Sequence, residues 1–501
     1  MPRRAALDRQ SLIALGPERL ADLLLELASN DPALKRQLKL SVTSSANPAD
    51  AASLVRERLA SVRRSRTFLD WKTIKPLAKE LGIQREAITG PIAQADPAQA
   101  LSLLWDFLTL GESVLGRCND SNGLMGDVFR DACRQLGPLA QAARSDPAAL
   151  AQQVFEVYSN NGYGLYDDLI AILADALGPA GLAALQALLE QLGREPVPVP
   201  PRDEWRAVMW GSGGTRYAHE LAEQARQWTV KDGLQAVAQA RGDVDGYIAQ
   251  ISERERRMPR IAAGIATKLL KAGRPSDALQ ALEQGTPQRT GWPVLDWEDA
   301  RIAVLQAVGR LEDAQAARWT CFKQTLQGSY LKDYLQELPD FEDVEAEQRA
   351  IALAATTTDA VQGLNFLLSW PAATAEAARL LLERQREFGG DHYDLFSAAA
   401  ERLSADHPLA ATVALRSMVD FTLSNGRSSR YGYAAEHLHS CQLLSQRIND
   451  WGSITPHALY LDAIRSNHAR KSSFWGQAKA LGLSPERAPN GTPAPKNRPG
   501  A

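Results

Sequence analysis

Leu269-Leu270-Lys271-Ala272-Gly273-Arg274-Pro275-Ser276-Asp277-Ala278 is answered further along the chain by Leu305-Gln306-Ala307-Val308-Gly309-Arg310-Leu311-Glu312-Asp313-Ala314. The two glycines stand 36 residues apart. Each closes one amphipathic run and precedes another. Glycine suits that spot because a helix commonly ends on a residue in the left-handed conformation, where a Cβ is penalised. A helix–turn–helix unit recurring at this period is the mark of a stacked α-helical array. The expected fold class is therefore all-α, with helical hairpins stacked side by side.

The same residues resemble a tetratricopeptide repeat. Gly273 and Gly309 fall at its turn glycine, and Ala278 and Ala314 at the small residue where the second helix crosses the first. The likeness covers about two repeats and implies a tetratricopeptide-like α-solenoid.

A chain of 501 residues has room for such an array and further domains. Ala and Leu recur while β-branched runs are scarce, so strands are not expected. Cys118, Cys133, Cys321 and Cys441 form no CxxC pair, which favours reduced thiols over a disulfide framework. The net charge of −3 is uneven: residues 1–80 carry +6, 441–501 carry +5, and 81–440 carry −14. Met1-Pro2-Arg3-Arg4 opens no long apolar core of a signal peptide. Leu169–Leu189 holds one charge, Asp175, but Gly178-Pro179 divides it below the length that spans a bilayer. A cytoplasmic protein without a membrane segment is the expectation.

Gly16-Pro17 opens a helix with Leu20, Leu23, Leu24 and Leu27 on one face. Asp31-Pro32, Asp96-Pro97 and Asp146-Pro147 each supply an N-cap followed by proline at the first helical position. Residues 41–50, rich in Ser, Asn and Pro, read as a loop. Gly193–Arg202, with Pro196, Pro198, Pro200 and Pro201, cannot continue a helix. It divides an N-terminal helical domain, 1–192, from a helical-repeat domain, 203–483. Trp292, Trp297 and Trp319 are expected as packing anchors, and 484–501 as a disordered tail.

Several catalytic patterns begin and fail. Cys118–Gly123 would place Cys118 and Phe129 at oxygen-ligand positions of a calcium loop, so a turn before a helix is the better reading. Gly211-Ser212-Gly213-Gly214 has no Lys-Ser/Thr after it and no Gly-x-Ser-x-Gly frame. It is expected to be a flexible turn leading into helices from about Tyr217. His219-Glu220 lacks the second imidazole of a zincin, since Glu223 stands there.

Two stretches carry individual chemistry. A basic helix is expected over 54–71, with Val55, Leu59 and Val62 buried and Arg56, Arg63 and Arg64 outward. Near the C-terminus, five of the seven histidines lie between His407 and His468. His437 and Cys441 are one helical turn apart, and His457 and His468 share a face, so His437, Cys441, His457 and His468 are the candidates for a tetrahedral metal site.

Ser428–Cys441, Leu459–Trp475, Arg58–Trp71 and Cys118–Phe129 together resemble a bacterial family of all-helical, tetratricopeptide-like proteins with no assigned activity. Its C-terminal half is similar to the chain that follows the zinc finger in SWIM-type proteins. The finger's Cys-x-Cys and Cys-x-His are missing here, so the resemblance implies no zinc.

The leading expectation is a non-enzymatic scaffold or adaptor, without cofactor, that binds a protein or peptide on a concave face over about 258–446. The binding candidates are Arg56, Arg63, Arg64, Arg430, Tyr431, His437, His468, Arg470 and Lys471. One alternative is nucleic-acid binding through Arg56, Arg58, Arg63, Arg64 and Arg66. The other is a metal-dependent enzyme around His437, His439, Cys441, His457 and His468.

Overall fold

The computed structural model of the chain describes residues 8–70, 72–211, 214–287 and 292–483. Among these, every regular element is helical apart from one two-stranded sheet. The expected tail over 484–501 and the expected turn at Ser212-Gly213 lie outside the described residues. The chain forms two compact units, divided between Glu253 and Arg254.

The first unit contains α1 (Pro17–Asn30), α2 (Pro32–Ala46), α3 (Pro48–Arg64), α4 (Ile74–Ala87), α5 (Pro97–Leu108), α6 (Pro147–Tyr158) and α7 (Leu169–Arg194). Shorter helices join them. The aspartate–proline pairs start their helices as expected: Asp31 accepts from the Ala33 and Leu34 amides at 2.8 and 3.1 Å. Asp96 accepts from Gln99 at 3.0 Å and Asp146 from Ala149 at 2.8 Å. Each such cap contributes about 1 kcal/mol. Leu24 and Leu27 of α1 are exposed, so that helix leaves part of its apolar face uncovered.

Residues 41–50 are not a loop. α2 runs to Ala46, with the Ser41 and Ser45 hydroxyls donating back to the Gln37 and Ser41 carbonyls. Asn47 then caps α3 by accepting from the Ala49 amide. Serines bonded within the helix tolerate it, and only one residue is needed for the turn. α3 itself stops at Arg64, short of the expected end at Trp71.

α7 bends at Gly178, whose backbone (φ 55°, ψ −173°) leaves the helical region. By length and composition it is the one described helix able to span a membrane. Leu169, Ile170, Leu173, Leu177, Leu182, Leu185 and Leu189 are buried in the unit's core.

Strands are present, against expectation: Ala207–Gly211 (β1) pairs antiparallel with Gly214–Tyr217 (β2), Trp210 opposite Thr215. Val208, Met209 and Trp210 suit a pleated ribbon, and Gly211 and Gly214 stand at the facing ends of the two strands. α8 (Ala218–Ala240) then packs on α7. Gly233 lets them approach, since a Cβ there would lie 2.8 Å from Leu189. Because Val237 joins the first core, the unit extends past the proline-rich segment to Glu253. The boundary expected at 193–202 is thus an internal connection.

The second unit opens with the hairpins α9 (Pro259–Lys271) with α10 (Pro275–Gln284) and α11 (Leu295–Ala307) with α12 (Leu311–Thr325). Gly273 and Gly309 adopt φ of +73° and +79°. After each glycine, the next amide reaches back five residues, Arg274 to the Leu269 carbonyl and Arg310 to Leu305, both at 2.9 Å. That is the Schellman ending. Arg274 then pairs with Asp277 and Arg310 with Asp313. Ala278 and Ala314 are fully buried, and α9 packs on both α10 and α11.

Helices α13 (Glu342–Thr356), α14 (Ala360–Ser369), α15 (Thr374–Glu383), α16 (Tyr393–Leu403), α17 (Pro408–Ser424), α18 (Tyr431–Ser445), α19 (His457–Asn467) and α20 (Ser472–Ala480) complete the unit. Phe322, Leu364, Leu381 and Phe396 fill one core; Leu438 and Phe474 fill another. Trp297 is buried and Trp319 stacks near Phe322 and Tyr334, but Trp292 is 61% exposed and anchors nothing in the core.

Candidate functional site

In the first unit a trench runs between α2, α3 and α4. Its hollows, of about 380, 420 and 420 Å³, adjoin one another because Arg36 lines all three. Helical spacing builds the walls: Arg36 and Lys39 are three apart on α2, and Lys75 and Lys79 four apart on α4, so each pair shares a face. Seven cations line the hollows against three carboxylates. One of the three, Asp31, is occupied in capping α2.

A charge cluster sits at the centre. Arg58 grips Glu80 with two bonds, Nε to Oε1 at 2.7 Å and Nη2 to Oε2 at 2.8 Å. Arg36 adds a third at 3.1 Å. Burial pushes the Glu80 carboxyl up, but the two guanidinium groups outweigh it and leave it below the usual value. Beneath lies Gln84, 5% exposed, whose Oε1 is buried and accepts no hydrogen bond. Its side chain reaches two of the hollows. The trench therefore offers cations at the rim and an unused amide acceptor at the floor. It is shaped for a group that brings both N–H donors and negative charge.

A family model matches residues 2–477, nearly the whole chain. The chain belongs to the Family of unknown function (DUF6880). No curated protein and no solved structure matches it.

Of the sequence candidates in this DUF6880 chain, only Arg58 lines the trench. Arg63 turns the other way and donates to the Asp106 carbonyl and the Thr109 hydroxyl. Arg56, Arg64 and Arg66 are exposed. The five do not face one ligand, because Arg66 lies beyond the end of α3 and Arg58 and Arg63 bond different neighbours. The missed residues are Arg36, Lys39, Lys75, Lys79, Glu80 and Gln84; the signal available was the three- and four-residue spacing of the lysines and arginine.

The C-terminal candidates also separate. Cys441 is buried with its thiol toward the Thr412 carbonyl, at 3.8 Å. His457 lies beside Arg416, and burial, then that guanidinium, push its imidazole down to about 4. His437 is lowered by burial. His468 caps the end of α19, where its carbonyl accepts from the Trp475 indole. Among the described residues no three His, Cys, Asp or Glu side chains group as metal ligands. The physical reason is plain at His457, where a buried guanidinium repels a cation. Arg430 stacks over the Tyr393 ring at 3.9 Å, and the Lys471 ammonium bonds the Tyr431 hydroxyl at 3.2 Å, both packing roles. Arg470 is exposed.

Proposed function

We propose that this protein is a cytoplasmic, non-enzymatic adaptor that holds an acidic peptide segment of a protein partner in the trench between α2, α3 and α4. The observation that carries the reading is the buried, unbonded Gln84 carbonyl beneath a rim of cations. An extended peptide supplies backbone N–H groups to such an acceptor and carboxylates to such a rim. The exposed Leu24 and Leu27 on α1 add apolar surface on the same unit. The second unit's hairpins are read as a tetratricopeptide-like array that serves as the scaffold. The likeness of 428–475 to SWIM-type proteins belongs to the same reading.

Fluorescence anisotropy of the full chain with a labelled peptide of alternating Glu and Leu tests it. Saturable binding is expected, weakening with salt, and falling about a hundredfold in a Lys75→Ala/Lys79→Ala variant, as two charge-assisted bonds at about 1.5 kcal/mol each come to about 3 kcal/mol. Equal affinity for a Lys/Leu peptide, or tighter binding of a single-stranded oligonucleotide that Arg56→Ala/Arg64→Ala abolishes, would overturn it in favour of apolar or nucleic-acid recognition.

A further inference from the structure

A second polar group with unused bonds lies in the other unit, at the start of α19. Arg416, on α17, is 6% exposed. Its Nη1 donates to the Thr455 carbonyl at 2.6 Å, and the guanidinium carbon lies 4.2 Å from the centre of the Tyr460 ring and 5.0 Å from that of Trp451. Nε and Nη2 are buried and reach no oxygen or nitrogen acceptor, the Cys441 sulfur being the weak acceptor beside the guanidinium. These two form the side edge of the guanidinium fork, the edge that matches a carboxylate or phosphate with parallel bonds.

His457, the first residue of α19, is 7% exposed, and neither ring nitrogen has a partner. No side chain caps the helix. The backbone dipoles leave a partial positive charge at a helix N-terminus, and its first amides point out for an anion. A guanidinium shut away from water therefore faces the positive end of an eleven-residue helix. Asp420, one turn further along α17, lies close enough for its charge to act on Arg416, but its carboxylate accepts from the Tyr460 hydroxyl at 2.7 Å and the burial of Asp420 raises it toward the neutral form. Cys441 supplies no counter-charge, because burial pushes its thiol up to about 12.

We propose that this is a binding site for a single oxyanion, a phosphate or carboxylate group, held by Arg416 Nε and Nη2 at the N-terminus of α19, with His457 as a further donor. Trp451 covers the guanidinium, and Gly452 beside it holds φ +50°. The segment 446–456 is the element that must move to admit the ion. The site is independent of the peptide trench, since all of its residues belong to the second unit.

The test follows the His457 imidazole by NMR in the full-length protein, its signal assigned by loss in His457→Gln. Sodium phosphate and sodium acetate are titrated separately, each against sodium chloride at equal ionic strength. The expected result is a saturable shift with one or both, and a His457 titration point raised by about one pH unit or more, as a neighbouring anion demands. Arg416→Lys keeps the charge but loses the fork, and its affinity should fall about tenfold. A stronger response to phosphate assigns a phosphate group, and a stronger response to acetate assigns a carboxylate. No response beyond chloride, or an unchanged affinity in Arg416→Lys, overturns the site. Should that variant not fold, the wild-type titration decides alone. Lys75→Ala/Lys79→Ala, in the other unit, should leave the response intact, and its loss there would also overturn the assignment.

Discussion

Mild acid should loosen the second unit through His457. Its imidazole is lowered from 6.5 to about 4, first by burial and then by Arg416. In the unfolded chain the same group takes up a proton near 6.5. Between the two values the unfolded state binds more protons, so stability falls as the pH drops from about 6.5 to about 4 and then levels off. At about 1.4 kcal/mol per pH unit, that interval corresponds to about 3 kcal/mol. Carboxylates titrate over the same range, and Asp420 and Tyr460 stand close by, so the measurement is a difference. Urea unfolding of the wild type and His457→Gln is compared at pH 7, 5.5 and 4. Gln stays neutral throughout, so the variant should lose about 3 kcal/mol less than the wild type between pH 7 and pH 4. Parallel stability curves for the two proteins would refute the reasoning.

Other perturbations follow from particular atoms. In Gly309→Ala the new methyl meets nothing within 4 Å, so the cost is the left-handed backbone alone, φ +79°. A loss of about 1–2 kcal/mol in thermal unfolding is expected, and an unchanged melting temperature would contradict the turn geometry. Gly137→Ala is different, because its Cβ would stand 2.3 Å from the Ile172 carbonyl oxygen, a backbone atom that cannot turn aside. The helices must part there, with a loss of about 1–3 kcal/mol or more, measurable by urea unfolding. Burial pushes Cys133, Cys321 and Cys441 up to about 12, and Cys118, half-buried, is raised too. Ellman's reagent should label the native protein slowly and at Cys118 first; fast modification of several thiols would show that the cores open readily.

The all-helical fold was legible because its punctuation is local. Gly273 and Gly309 announce helix ends by backbone conformation, and Asp31, Asp96 and Asp146 announce helix starts through amides two or three residues away. Such signals need no tertiary knowledge. The errors arose where a local composition had two uses. Ser41 and Ser45 suit a loop, yet each hydroxyl is equally satisfied by a carbonyl four residues back. The prolines after Gly193 stop a helix, but a stopped helix is not a domain boundary, and α8 returns to pack on α7. The trench was hidden for a further reason: Glu80 meets Arg58 and Arg36 across 22 and 44 residues. Helical periodicity says which residues share a face without saying which faces meet.

Arg416 shows what a different question would have found. By residue type this region stands out for its histidines and a cysteine at ligand spacing, and the arginine carries no such mark. It stands in Ala410-Ala411-Thr412-Val413-Ala414-Leu415-Arg416-Ser417-Met418-Val419, a run so apolar that the helix is buried on nearly every side. A permanent cation in such a run must find acceptors inside the protein or leave bonds unmade. That demand is readable before any contact is known, and it reverses the chemistry of its neighbours. Burial keeps Cys441 a thiol despite the guanidinium, and burial and the guanidinium together keep His457 neutral, so the surroundings that discourage a metal cation are those that favour an anion.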